Sequence, residues 1–179
     1  MHARLIIALM VLWPFLASAD LKWHQFGVDE GQKQTVTIGA VSMTFETRPV
    51  KGEYFPDDNL TMTVLGAGRA QSQLWFTSSY GSGEVAIQDD ILLLKYGFGR
   101  GTSARVEHVK ALALTRSLEE LFDVQTSYQV ESLDPKQLSP DLVEYRIKVQ
   151  TNGDYTTFTF WTPAPRKGMP SEKIVRLKK

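Results

Sequence analysis

The side chains that most often bind metals or act as nucleophiles are nearly missing: the chain has no cysteine and only three histidines, His2, His24 and His108. His24 and His108 stand far apart, and neither falls in a zinc-ligand spacing. Asp57-Asp58-Asn59 begins like a calcium loop, but Met62 stands where that loop needs glycine, so it reads as a polar turn after Pro56. Gly66-Ala67-Gly68-Arg69 lacks the third glycine of a dinucleotide fingerprint, where Gln71 stands. Gly97-Phe98-Gly99-Arg100-Gly101 lacks the Lys-Ser or Lys-Thr of a phosphate loop. Both read as turns or bulges, and no cofactor is expected. Ser78, Ser79 and Ser82 flank Tyr80-Gly81-Ser82-Gly83, which is not the G-x-S-x-G elbow of hydrolases.

Carboxylates are harder to dismiss, because a glycosidase holds its two acids by the fold and not by a local motif. Glu84, Asp89, Asp90, Glu107 and Glu144 are the candidates, though single acids on alternating strands are usually solvated. Two surfaces offer binding chemistry. Tyr155 and Trp161 fall out of phase with the apolar residues around them and share a side with Glu144, Arg146, Lys148 and Gln150. Aromatic rings set among charges and amides make a stacking platform for a sugar or peptide. The alternative is that the C-terminal segment covers Trp161 at Pro163 and Pro165. The second surface interleaves Tyr80, Tyr96, Phe98 and Arg100 with glycines in two loops, at 80–83 and 97–101, which would form one end of a sheet.

The elements positioning these residues read as strands. Alternation of period two runs through most of the chain, with turn residues between runs. Val143, Tyr145, Ile147 and Val149 lead into Asn152-Gly153, which predicts a hairpin with Val149 facing Thr156, Ile147 facing Phe158, Tyr145 facing Phe160 and Glu144 facing Trp161. Thr35 to Thr47 reads as a bent strand or tight hairpin, Asp89-Asp90 as a turn, and Val124 to Val130 as one strand. Ser117-Leu118-Glu119-Glu120 fits a capping box and predicts a turn or two of helix through Phe122. Asp134-Pro135 and Ser139-Pro140 could each open another helical turn. The expected fold is all-β: an antiparallel β-sandwich or partly closed β-barrel of about nine or ten short strands, with one or two short helical connectors.

Residues 1–19 read as a secretory signal peptide: Arg4, an apolar run from Leu5 to Trp13, and Ala17-Ser18-Ala19 before a cut after Ala19. The run is too short to span a membrane, which takes roughly 20 apolar residues. A single β-rich domain is expected over 20–165, and a basic tail or edge strand over 166–179. The tail carries a local charge of +5 and the preceding domain −6, which argues against a nucleic-acid-binding face. A cysteine-free exported domain suits a bacterial periplasm or exterior. The expectation is therefore a periplasmic or secreted binding or accessory module, without catalysis, that engages a protein or an envelope glycan. A small hydrolase using dispersed carboxylates and a carrier of an apolar ligand in a half-open barrel are the alternatives.

Overall fold

The computed structural model describes residues 18–19, 21–47, 59–66, 69–98, 106–114, 117–130, 136 and 141–179, with the backbone alone at 18, 19, 69, 70 and 130. They form antiparallel sheets. Sheet A contains β1 (Ser18–Ala19), β13 (Arg146–Asn152), β14 (Tyr155–Trp161) and β15 (Glu172–Lys178). Sheet B is ordered β10 (Leu118–Gln125), β9 (Val106–Leu114), β8 (Ile91–Phe98), β7 (Ser82–Gln88), β2 (His24–Gly27). Sheet C is a meander of β3 (Lys33–Ile38), β4 (Val41–Thr47), β5 (Asn59–Gly66) and β6 (Arg69–Thr77). A two-stranded ribbon pairs β11 (Ser127–Val130) with β12 (Asp141–Glu144). No helix among the described residues is long and apolar enough to cross a membrane.

The architecture is a sandwich in which sheet B is the middle layer. One face of β7, β8 and β9 supplies Val85, Leu92, Leu94, Tyr96 and Leu112 to a core shared with sheet C, where Phe45, Met43 and Met62 are fully buried. The other face supplies Ala86, Leu93, Val109 and Ala111 to a second core with Val149, Phe158 and Phe160 of sheet A. Being covered on both sides explains the unbroken Ile91-Leu92-Leu93-Leu94, since a strand buried on both faces has no reason to alternate.

The structure has fifteen strands among the described residues, more than the nine or ten expected, because continuous runs are cut where the chain changes sheet. At Thr126 and Tyr145 the runs 124–130 and 143–149 each divide. The Thr126 amide bonds the Glu107 carbonyl at 2.8 Å, and the Tyr145 amide bonds the Thr126 carbonyl at 2.7 Å. Likewise β6 and β7 belong to different sheets, and one 3-10 turn at Ser79–Gly81 carries the chain between layers.

The C-terminal hairpin forms with its register moved by two. Gly153-Asp154 is the loop, Asn152 pairs with Tyr155, Val149 with Phe158, Ile147 with Phe160 and Arg146 with Trp161. Gly153 has φ 54° and Asp154 has no positive φ, the pattern of a two-residue turn with glycine first. A shift of two keeps every side chain on its expected face, because strand side chains alternate with period two. It also sets Phe rings against both aliphatic residues of β13 and frees Tyr145 to bond elsewhere. The helical turn expected after Ser117 is absent: β10 runs through it, paired to β9 with a bulge between Glu120 and Phe122. Edge pairing on a sheet with Leu121, Phe122 and Val124 packed against the second core outweighs a local capping preference. Asp134-Pro135 and Ser139-Pro140 lie outside the described residues. Residues 172–178 do form an edge strand, on β14.

Candidate functional site

The outward face of sheet A is the aromatic and charged surface expected from the hairpin pattern. With Val149, Thr156, Phe158 and Phe160 buried inward, alternation turns Arg146, Lys148, Gln150 and Asn152 of β13 outward, beside Tyr155, Thr157, Thr159 and Trp161 of β14. Across β14, Glu172, Ile174, Arg176 and Lys178 of β15 stand opposite Trp161, Thr159, Thr157 and Tyr155. The Arg146 guanidinium lies 5.3 Å from the centre of the Trp161 ring, and that of Arg176 lies 4.0 Å from the Tyr155 ring. Trp161 is half-buried, with the Arg146 guanidinium over its ring, and Pro163 and Pro165 just after it are exposed. The face has four cations against Glu172, with the neutral polar groups of Gln150, Asn152, Thr157 and Thr159 between them. Ile174, 61% exposed, adds an apolar group on the edge strand β15.

Of the two glycine-rich loops, residues 99–101 lie outside the described residues, and Gly97 lies beside the start of the other. The Ser79 hydroxyl donates to the Gly97 carbonyl at 2.9 Å, and Ser78 bonds both Gly97 and Ser82. Tyr80 is exposed, with φ 57°, and Phe98 is 40% exposed. Tyr96, in contrast, is buried in β8 and belongs to the core shared with sheet C, not to a loop surface. Arg100 lies outside the described residues. The Tyr96 hydroxyl donates to Asp123 at 2.5 Å, His108 Nδ1 lies 3.0 Å from the same carboxylate, and Lys110 bridges Asp123 and Glu120 at 3.3 and 2.6 Å. Burial pushes the Tyr96 phenol far above its ordinary range, and the bond to Asp123 adds to the shift. Burial alone would raise the Asp123 carboxyl, but the bonds from Tyr96, His108 and Lys110 outweigh it and hold it below the usual range. Ser82 donates to the Ser79 carbonyl at 3.1 Å, and His108 is held by Asp123 between the rings of Tyr96 and Phe98.

A third arrangement lies at the end of sheet B that faces sheet A. Lys95 sits 3.2 Å from Glu84 and 3.3 Å from Glu107. Burial disfavours the ammonium, yet the two carboxylates beside it, Glu107 first, raise its pKa. A cleft of about 360 Å³ opens here between Gln25, Ser82, Gly83, Glu84, Lys95 and Glu107. It adjoins one of about 220 Å³ that shares Lys95 and Glu107 and reaches Trp23, Thr126, Glu144 and Arg146. Three of the five candidate carboxylates thus gather in one place. The other two do not: Asp89 and Asp90 form the β7–β8 turn, where Asp89 contacts Thr151 and Lys179. Lys95 was not singled out from the sequence, but a turn at Asp89-Asp90 pairs Gln88 with Ile91 and counts back to Glu84 opposite Lys95.

Comparisons with protein-family models, with curated proteins and with solved structures return no match. The surfaces themselves are what define a class, and that class is an all-β sandwich with a basic aromatic sheet face and a charged cleft.

Proposed function

We propose that this protein is an exported, non-catalytic binding module that holds an anionic glycan against the outer face of sheet A. The observation that carries the reading is the composition of that face: Arg146, Lys148, Arg176 and Lys178 against one acid, with two aromatic rings and four neutral hydrogen-bonding groups. Cations attract a chain bearing carboxylate or sulfate groups, hydroxyl and amide groups satisfy its hydroxyls, and ring faces stack on sugar rings. Neighbouring strands lie about 4.8 Å apart and alternate residues about 6.7 Å apart, so the cations form two close pairs, Arg146 with Lys148 on β13 and Arg176 with Lys178 on β15, at diagonally opposite ends of the face. A bare acidic protein segment would use the charges but leave the rings without a role. Export rests on the sequence pattern of a leader at 1–19; a cut after Ala19 would remove Ser18 and Ala19, which pair with Gln150 and Val149 at the edge of sheet A, and residues 1–17 lie outside the described region.

The test is binding of the full chain to heparin and polygalacturonate, with dextran, polyglutamate and anionic phospholipid vesicles as comparators. Binding to the two anionic glycans that weakens with salt is expected. Lys148→Glu with Arg176→Glu and Lys178→Glu should lower affinity by about tenfold or more. Trp161→Ala should weaken glycan binding with an unchanged circular dichroism spectrum. Equal binding of polyglutamate or vesicles, or indifference to the charge reversals, would overturn the reading.

A further inference from the structure

The cleft over Lys95 lies off the basic face and meets it only at Arg146, and its chemistry differs. Its existence follows from residue size along one end of sheet B. Gly27 pairs with Ser82, and Gly97 pairs with Glu107, so three adjacent strands place two glycines and a serine beside the longer Glu84 and Lys95. Sheet A covers the apolar part of the same face, at Leu93, Val109 and Ala111, and leaves this end open. The first volume, about 360 Å³, reaches the size at which clefts take small molecules, roughly 300 Å³ upward, and the second adds about 220 Å³ beside it.

We propose that this cleft is a second binding site, and that it takes a neutral sugar of one or two rings. A sugar hydroxyl donates one proton and accepts another, so it is best met where an acceptor and a donor stand side by side. Glu84, Lys95 and Glu107 provide that pairing twice, on either side of one ammonium. An ammonium carries three protons, and Lys95 meets two carboxylates among the described residues, which leaves one N–H for a ligand. Gln25, Thr126 and Ser82 add neutral polar groups to the lining, and Trp23 contributes an aromatic wall. Glu84, Glu107 and Glu144 outnumber Lys95 and Arg146, so an anionic ring is repelled here while the outer face attracts one. The two acids that flank Lys95 both accept from one ammonium, which suits them to receive sugar hydroxyls and not to donate the proton a glycosidase acid must supply.

The test is titration of the isotopically labelled full chain with maltose and N,N′-diacetylchitobiose, followed by amide shifts and tryptophan fluorescence. Galacturonic acid and cadaverine serve as the anionic and cationic comparators. A neutral disaccharide should shift the amides of Glu84, Lys95 and Glu107 with a Kd of about 1 mM. Gln25→Trp crowds the lining without changing charge, and Lys95→Gln removes the shared donor; each should weaken binding about tenfold or more. Both variants should keep a dispersed spectrum and undiminished retention on polygalacturonate, which separates this site from the outer face. Absence of shifts with both neutral sugars up to about 50 mM would overturn the proposal. So would tighter binding of cadaverine, wild-type affinity in Gln25→Trp, or release of monosaccharide from either disaccharide.

Discussion

The two faces of sheet B are built from the same strands and meet opposite fates. Toward sheet C the face closes over its apolar part: Leu92, Leu94 and Leu112 pack under a cluster in which Phe26 and Phe45 stack at 3.9 Å and Phe76 meets both edge-on. Toward sheet A it closes only from Ala86, Leu93 and Ala111 to Val109, and then gives way to Lys95, Glu84 and Glu107. One step along β8, from Leu94 to Lys95, changes both the face and the chemistry. A closed face spends its residues on cohesion, whereas an incompletely covered one keeps charges within reach of solvent and of a ligand.

The largest effects are expected from truncating each core on the same strand. Leu93 and Leu94 are both 0% exposed and point to opposite layers. Leu93→Ala and Leu94→Ala should each destabilise by about 2–5 kcal/mol in urea melts, because each leaves a cavity in a packed layer. If the layer under sheet A were only a loose cover, Leu93→Ala would cost well under 1 kcal/mol, within the range of a surface change.

That both leucines are core was legible in the sequence as an unbroken apolar run, but its meaning was not. A run of four apolar residues predicts burial without saying that two different sheets provide it. The facing of Trp161, Tyr155 and Arg146 was legible because period two survives a register error of two residues. The register itself was missed because Asn152-Gly153 and Gly153-Asp154 are both good hairpin loops, and pairing of the Phe rings with Ile147 and Val149 decides between them. The sites where strands leave one sheet for another, Thr126 and Tyr145, have no local signature; long-range backbone bonds define them. For the same reason Glu84, Glu107 and Glu144 could be named as candidates but not grouped, since Glu144 reaches the cleft from a separate ribbon.

A smaller effect separates the polar rim of the closed face from its interior. Asp123 is held ionised by bonds from Tyr96, His108 and Lys110, so its pKa lies lower in the folded protein than in the unfolded chain. That stability is fully present above the unfolded value, about 3.9, and is lost as pH falls through the folded one. Tyr96 works at the other end: its raised phenol contributes below about pH 10 and loses that contribution as pH rises further. Tyr96→Phe should cost about 1–3 kcal/mol near neutrality, and it should flatten the alkaline limb of the stability profile. Asp123→Asn should flatten the acid limb. Unchanged limbs in both variants would mean that the cluster contributes nothing to the pH dependence.

The least effect, and the only stabilising one, concerns the layer under sheet A. Thr156 turns inward on β14 beside Phe158, is 1% exposed, and its hydroxyl has no hydrogen-bond partner among the described residues. A buried hydroxyl without a partner forfeits its bonds to water and gains nothing in exchange. Valine has nearly the same shape, prefers strands at least as well, and replaces the hydroxyl with a methyl group that can use the apolar surroundings. Thr156→Val should therefore raise stability by about 1 kcal/mol, read as a higher urea midpoint with an unchanged slope. The corresponding polar group on the closed side, the Tyr96 hydroxyl, is bonded, so Tyr96→Phe has the opposite sign. Loss of stability in Thr156→Val would mean that the hydroxyl is satisfied in solution, by water entering from the open end of the sheet. The incompletely covered face would then be wetter than its packing implies, and the contrast between the two faces of sheet B would be one of hydration as well as of coverage.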